Sequence, residues 1–292
     1  MKRIGITGGT GFVGRNLTAL LIRKGYEVVV FTTRVGKQRK KQHIQYAHWN
    51  PENGACDLAA IKSLDVMVNL AGEGIADKRW REKRKKEIRD SRVKSTDFLV
   101  SHLNAYAPDC KALITASAIG FYGSDNHYSE SFSETSSPAT DFLGETCRQW
   151  EASSEKLSAD KRRVVLRFGI VLGKGSGAFP QLANPMSYGI APILGSGGQV
   201  VSWIEIHDLA RLILYAIEHT GLAGIYNAVA PGHVSHRQLM HTIAEVKGGI
   251  KIPLHVPSAL LKILLGEMST EVLKSCTVSR SEERRVGKEC RL

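Results

Sequence analysis

Gly8, Gly11 and Gly14 stand three residues apart in the stretch KRIGITGGTGFVG, which runs from Lys2 to Gly14. Ile4 and Ile6 before them share one face of a short apolar strand. Phe12, Leu17, Leu20 and Leu21 after them recur at helical spacing as far as Lys24, and Gly25 is placed to end that helix. The glycines therefore occupy a strand-to-helix turn. Such a turn leaves the first N–H groups of the helix unpaired, and with the helix dipole they favour a pyrophosphate. Gly8 and Gly11 carry no Cβ to block phosphates, and Gly14 lets the helix lie close to the strand. The chemistry implied is dinucleotide binding, because the triplet stands in the context that function requires.

A second group of residues selects among dinucleotides. Tyr26 to Thr32 (YEVVVFT) is a strand of β-formers, and its end faces the adenosine ribose in a dinucleotide fold. An acid there takes the ribose 2′-hydroxyl of NAD. Here Thr32, Thr33 and Arg34 follow instead, so no carboxylate repels a 2′-phosphate and a guanidinium is available to pair with one. Lys37 is a second candidate cation. This pattern favours NADP(H), with Arg34 as a solvated loop residue the plain alternative.

The elements that position these groups alternate. Ile44–His48 and Leu64–Leu70 read as strands, the latter closed by Ala71 and Gly72, whose small side chains let backbone lie against a ligand. Trp80–Asn104 reads as a long helix, Ala112–Ser117 as a strand, Phe142–Leu157 as a helix and Arg163–Phe168 as a strand. A polar loop spans 124–141. Strands and helices alternate for about 170 residues, which predicts an α/β fold with a doubly wound parallel sheet. Gly173–Gly198 looks like an excursion, rich in Gly, Pro and Ser. Strand-like Gln199–Ile206 and Gly224–Val229 flank a helix over Leu209–His219, with Asp208 as its expected N-cap. Further helices are expected over Ser235–Val246 and Pro257–Leu265.

Composition narrows the partners. With 292 residues and 42% apolar content the chain can bury a large core. Five scattered cysteines, without a C-x-x-C pair, read as reduced thiols of a cytosolic protein rather than a disulfide or zinc framework. The chain enters a strand directly, leaving no room for a signal peptide, and no apolar run reaches the roughly 18 residues of a membrane span. The expected location is cytoplasmic. The net charge of +12 resides in two runs: Lys78–Lys94, with ten bases against Glu82, Glu87 and Asp90, and Arg34–Lys41, with five bases. Neither run has interleaved aromatics or a nucleic-acid-binding spacing, so a solvated helix face and an anionic cofactor account for the charge better than nucleic acid. His233, His236 and His241 have no carboxylate or cysteine cluster beside them; they read as helix-surface histidines, and no metal is expected.

Thr7–Gly14 resembles the TGxxGxxG turn of extended short-chain dehydrogenases/reductases, and Asn69-Leu70-Ala71-Gly72 resembles their N-x-A-G strand end. Gly72-Glu73, Arg79-Trp80, Ser91-Arg92, Ser117–Gly123 (SAIGFYG), Arg167–Gly173 (RFGIVLG), Ser202-Trp203-Ile204 and Gly266-Glu267-Met268 resemble the atypical epimerase-family branch of that superfamily. Its relatives are described as nucleoside-diphosphate-sugar epimerase-like or as NADP-dependent oxidoreductases. The resemblance covers about residues 1 to 278. It implies a Rossmann domain over 1–172, rejoined by 199–229, and a smaller C-terminal substrate-side lobe of 173–198 and 230–279. It implies NADP(H) contacts at Gly8, Thr10, Gly11, Phe12, Val13, Gly14, Thr33, Arg34, Leu70, Ala71 and Gly72. Because the long helix passes near the cofactor in that branch, Glu87 and Arg92 become candidate contacts, equally readable as surface charges, and Val171 falls near the nicotinamide half. Trp203 and Asp208 line the substrate cleft by the same analogy, or serve as core and cap. The family continues past Val278 into an apolar closing segment, whereas residues 280–292 are charged and read as a disordered or artefactual tail that leaves the last helices less well covered.

Working members of that superfamily use a Tyr with a Lys four residues on, the Lys lowering the phenol's pKa for proton exchange. None of the eight tyrosines here has Lys at that offset. Tyr122 and Ser117, beyond and at the end of a strand on the sheet's carboxyl edge, are the substitute acid/base candidates, ahead of Glu134 and Glu145 in the same region. The expected function is an NADP(H)-dependent oxidoreductase or sugar-nucleotide-type epimerase acting on a carbonyl compound or sugar nucleotide. The alternatives are an NADP(H)-binding sensor or regulatory protein without turnover, and a basic adaptor for an anionic polymer. The partner is an unknown small molecule, with a homodimer left open and with nucleic acid and membrane excluded.

Overall fold

The computed structural model describes residues 2–34, 36, 43–125 and 131–279. The expected cation Lys37, part of the polar loop 124–141 and the tail 280–292 lie outside them. The chain runs β1 (Arg3–Thr7), α1 (Phe12–Arg23), β2 (Glu27–Thr32), β3 (Ile44–Asn50), β4 (Ala55–Cys56), α2 (Leu58–Lys62), β5 (Val66–Asn69), α3 (Glu82–Tyr106), β6 (Ala112–Ala118), α4 (Phe142–Glu155) and β7 (Arg162–Phe168). It continues with β8 (Ile170–Leu172), α5 (Ala178–Ala183), β9 (Ile190–Leu194), β10 (Val200–Val201), β11 (Trp203–Glu205), α6 (Ile206–Glu218) and β12 (Gly224–Ala228). The remainder is β13 (Val234–Ser235), α7 (His236–Lys247), β14 (Ile252–Val256), α8 (Ser258–Leu265) and α9 (Ser269–Leu273).

An eight-stranded sheet carries the order β12-β7-β6-β5-β1-β2-β3-β4. Its ladders are parallel, apart from the antiparallel β3–β4 pair. The order reverses between β1 and β5, and ligands bind at such a switch point, outside the carboxyl ends of the strands. Apolar side chains on both faces of the central strands require cover on both. One core cluster joins Ile4, Ile6, Val28, Val30, Val66 and Val68 to Leu17 and Leu21 of α1 and to Leu209, Ile213 and Ile217 of α6. The other joins Val29, Phe31, Met67 and Leu113 to Ile61 of α2 and to Leu99 and Leu103 of α3. The doubly wound α/β expectation is met.

Several local expectations change. The helix of 206–218 begins earlier than its apolar spacing indicates: Glu205, not Asp208, accepts from the N–H groups of His207 and Asp208, and Asp208 pairs with Arg211 at 2.9 Å in the first turn. The excursion over 173–198 contains α5 and β9, and β9 forms a parallel pair with β14, a strand hidden in the sequence by Pro253 and by having no buried face.

His236 is the larger surprise. His233 and His241 are exposed as expected, but His236 is only 5% exposed at the first turn of α7. Neither ring nitrogen has a partner, and desolvation lowers its pKa to about 4. A histidine with a folded pKa below its unfolded value of about 6.5 stabilises the fold fully above that value, and the contribution is lost as pH falls toward 4. Stability should drop by about 2 kcal/mol from this group between pH 7 and pH 5. Urea unfolding at the two pH values should show that drop in the wild type and a smaller one in His236→Leu. An equal drop in both would remove His236 as the cause.

Candidate functional site

The glycine turn is built by close backbone contact. Gly8 has φ +65°, a conformation open to glycine. A Cβ there would stand 2.4 Å from the Leu70 carbonyl oxygen, and one on Gly14 would stand 2.4 Å from the Gly8 oxygen and 2.5 Å from the Gly9 Cα. Both glycines thus let β1, β5 and α1 converge. Gly11 differs. It is exposed, its φ of −75° suits any residue, and a Cβ there would meet only the Gly8 oxygen at 3.1 Å. Gly11 is also the N-cap of α1 and supplies no side-chain cap to the helix N–H groups. Its missing Cβ leaves space on the outer side of the turn, where those N–H groups are unsatisfied.

Thr10 is exposed; Phe12 and Val13 are half-buried. Phe12 reaches forward, since a Cβ on Gly173 would come within 2.8 Å of its ring and one on Gly177 within 3.2 Å. The Val171 carbonyl oxygen lies at 3.3 Å from the same Gly177 position. Residues 171–177 therefore border the turn, bringing Val171 and Phe12 to one end of the cleft. Leu70 and Ala71 are half-buried and Gly72 is exposed at the carboxyl end of β5. Asn69 fixes that strand end by accepting from the Thr7 hydroxyl at 2.6 Å and donating to the Thr96 and Thr115 hydroxyls. The Arg92 guanidinium lies over Gly72, 3.2 Å from where its Cβ would be, and donates to the Ile88 carbonyl at 3.0 Å. Arg92 thus reaches the cleft border. Glu87 is engaged elsewhere, bonded to Arg84 at 3.0 Å, and that guanidinium lowers its pKa.

At the end of β2 the Thr32 hydroxyl accepts from the Arg34 backbone N–H at 3.2 Å, turning the chain. Thr33 and Arg34 are exposed, and the Arg34 side chain makes no ion pair among the described residues. The donor set fits a phosphate-bearing dinucleotide: amides opening α1 without a side-chain cap, an exposed glycine beside them and a guanidinium with no ion pair among the described residues.

The two hydroxyls expected to transfer protons are both buried and hydrogen-bonded within the protein. Ser117 is 2% exposed and donates to Glu151 at 2.6 Å; Tyr122 is 3% exposed and donates to Asn227 at 2.6 Å. Arg167, itself 2% exposed, bonds both Glu151 oxygens at 2.8 Å and donates to the Tyr122 hydroxyl at 2.8 Å. Burial pushes the Tyr122 phenol up to about 12, away from the range useful for proton exchange at neutral pH. Glu134 accepts from the Asn227 N–H, and Glu145 is held by Arg148, its pKa lowered to about 2. This region is a sealed polar network that sequence could not distinguish from a catalytic one. Arg167 is its centre, and an arginine inside the strand RRVVLRF was the available signal. Trp203 packs in the core that joins α5, β9 and α7, with its indole N–H buried and unpartnered.

The model of the NAD dependent epimerase/dehydratase family matches residues 4–228. Epimerase family protein YfhF of Bacillus subtilis is 37% identical over 273 residues, covering 93% of this chain and 88% of its own. The crystal structure of human epimerase family protein SDR39U1 (isoform 2) with NADPH superposes with a TM-score of 0.84 at 28% identity, covering 98% of this chain and 93% of that one. A nucleoside-diphosphate sugar epimerase from Corynebacterium glutamicum superposes at 0.76 with 30% identity, covering 98% of this chain and 54% of that one. The glycine turn, the strand end at Asn69 and the residues 171–177 all fall inside the matched span, and the chain belongs to the NAD dependent epimerase/dehydratase family.

Proposed function

We propose that the chain binds NADP(H) on the glycine turn and uses it in oxidoreduction of a carbonyl compound or a sugar nucleotide. The observation that carries this reading is an exposed Gly11 at the start of α1 together with, at the neighbouring strand end, an exposed Arg34 that makes no ion pair among the described residues. The NADPH bound to the human relative supports the choice of cofactor. When bound, the dinucleotide supplies a hydride donor or acceptor. The amides opening α1 hold its pyrophosphate, Arg34 pairs with the 2′-phosphate, and the backbone at Leu70–Gly72, with Arg92 over it, borders its nicotinamide side. Residues 173–198 and 230–279 serve as the substrate-side lobe, in a cytoplasmic protein.

A second reading, NADP(H) binding without turnover, is favoured by the engagement of Tyr122 and Ser117 in the Arg167 network. An NADPH-oxidation screen against carbonyl compounds and sugar nucleotides separates the two. Turnover of any of these compounds supports the first reading; tight NADPH binding with none supports the second.

Three variants test the assignment. Arg34→Ala should weaken NADPH at least tenfold in calorimetric titration while NADH affinity changes little, since only the 2′-phosphate loses a charge-assisted bond; equal losses for both would refute Arg34 as the selector. Gly11→Ala should unfold normally yet bind NADPH at least tenfold more weakly, whereas Gly14→Ala should lose several kcal/mol of stability from backbone overlap. Tyr122→Phe should cost about 1–3 kcal/mol of stability by leaving Arg167 and Asn227 each short of a partner, with no change in NADPH affinity. A loss of turnover in a stably folded Tyr122→Phe would reinstate the phenol as an acid/base.

A further inference from the structure

The basic run of 78–94 divides into paired and unpaired charges. Lys85 bonds Glu82 and Glu267, Arg89 bonds Asp90, and Lys94 bonds Asp90. Arg84, buried in the first turn of α3, holds Glu73 at 3.2 Å, Glu87 at 3.0 Å and the Gly74 carbonyl at 2.7 Å. By contrast, the side chains of Lys78, Arg79, Arg81 and Lys83 make no hydrogen bond or ion pair among the described residues and all four are exposed, as is the equally unpaired Lys86, which lies outside the cavity they share. These four, with Arg84 and Glu87, line one cavity of about 380 Å³ at the start of α3.

Like charges repel, and gathering five cations around one carboxylate, Glu87, on whose charge Lys78 and Lys83 also act, costs some stability. The one carboxylate lining the cavity, Glu87, is already bonded to Arg84. The acids of the approach, Glu73 and Asp77, are turned to Arg84 as well. The cavity is also placed with purpose. Residues 73–81 lie on the connection from the carboxyl end of β5 to α3, so the cavity is built on a segment that leaves the sheet edge carrying the glycine turn. Its outer wall meets the C-terminal lobe, where the Arg79 guanidinium lies against Gly266 and Lys85 bonds Glu267 at 3.0 Å. Two guanidinium groups and two ammonium groups match the oxygens of a multiply charged phosphoryl group, the guanidinium groups bidentately.

We propose that this cavity is an anion subsite, separate from the cofactor cradle, that holds a diphosphate or similar phosphoryl group through Lys78, Arg79, Arg81 and Lys83. It rests on the reading that a second, phosphorylated small molecule joins NADP(H) at this sheet edge.

Calorimetry with NADPH-saturated protein tests it, because saturation removes the glycine turn as a competing phosphate site. Inorganic pyrophosphate and UDP are the probes. Binding is expected for at least one of them, weakening with salt. Stronger binding of UDP than of pyrophosphate supports a nucleotide-borne source, and equal binding supports a free phosphoryl ligand. Lys78→Glu/Lys83→Glu should weaken binding at least tenfold, and Lys78→Gln/Lys83→Gln by less, with NADPH affinity within twofold of wild type in both. The proposal is overturned if the saturated wild type binds neither probe, or if the charge-reversed variant binds them as well as wild type. Failure of NADPH to bind at all, in its own titration, would instead count against the cofactor reading.

Discussion

Backbone closeness at residues 8–14 sets the terms for the rest of the molecule. The Gly8 oxygen lies where a Cβ of Gly14 would be, and the Leu70 oxygen lies where a Cβ of Gly8 would be. No side chain fits at either place, so α1 starts almost on top of the β1–β5 junction. Its first amides then open above the switch point of the sheet. The same compactness lets Phe12 reach the loop at Gly173 and Gly177, which joins the glycine turn to the chain leading into the second lobe. A larger residue in the turn would separate strand, helix and loop together. A side chain at Gly8 or Gly14 would therefore overlap several backbone atoms, whereas one at Gly11 would crowd the Gly8 oxygen alone.

A buried ion pair governs the opposite side of the carboxyl edge. Arg167 and Glu151 are each nearly sealed from solvent, and burying two charges is repaid only when the remaining hydrogen-bonding capacity is satisfied. Ser117, Tyr122 and the Glu134 carbonyl do this, while the Phe121 ring stacks on the guanidinium with its centroid 3.5 Å away. The network joins β6, β7, α4 and, through Asn227, β12. It fixes the end of the sheet on which the C-terminal segment rests, through the bridge from Phe132 to Val278 and the bond from the Ser202 hydroxyl to the Cys276 carbonyl. Ser117 and Tyr122 thereby help hold the edge of the sheet.

Much of the fold was legible because its signals are local. Alternating apolar strands and amphipathic helices name the parallel sheet, and glycine spacing names the turn, since both depend on neighbours in sequence. What was not legible depends on distant partners. Whether Ser117 faces a cleft or Glu151 is decided by a residue 34 positions away. Whether His236 is wet or dry is decided by what covers α7. Glu205 outcompetes Asp208 as a cap because the strand before α6 ends at that residue, which residue preference alone cannot locate. The expectation for Arg34 rests on residue type at a strand end, and the fold leaves that residue exposed just past β2. Arg92 was assigned by resemblance, and its placement over Gly72 follows from the long rigid α3 crossing that strand end.

Charge shows the same contrast between type and placement. The sequence gives a surplus of twelve positive charges confined to two runs, and a helix face in water would account for it. In the folded chain the second run is sorted. Lys85, Arg89 and Lys94 of α3 meet carboxylates along the helix or across to Glu267, and such exposed pairs contribute little each. Buried Arg84 holds Glu73 and Glu87, whereas Lys78, Arg79, Arg81, Lys83 and Lys86 form no ion pair among the described residues. Five cations and a single carboxylate line the cavity at the start of α3, so positive charge is in surplus there. A negative group supplied from outside the chain, as proposed above, would offset that surplus next to the segment that leaves the carboxyl end of β5.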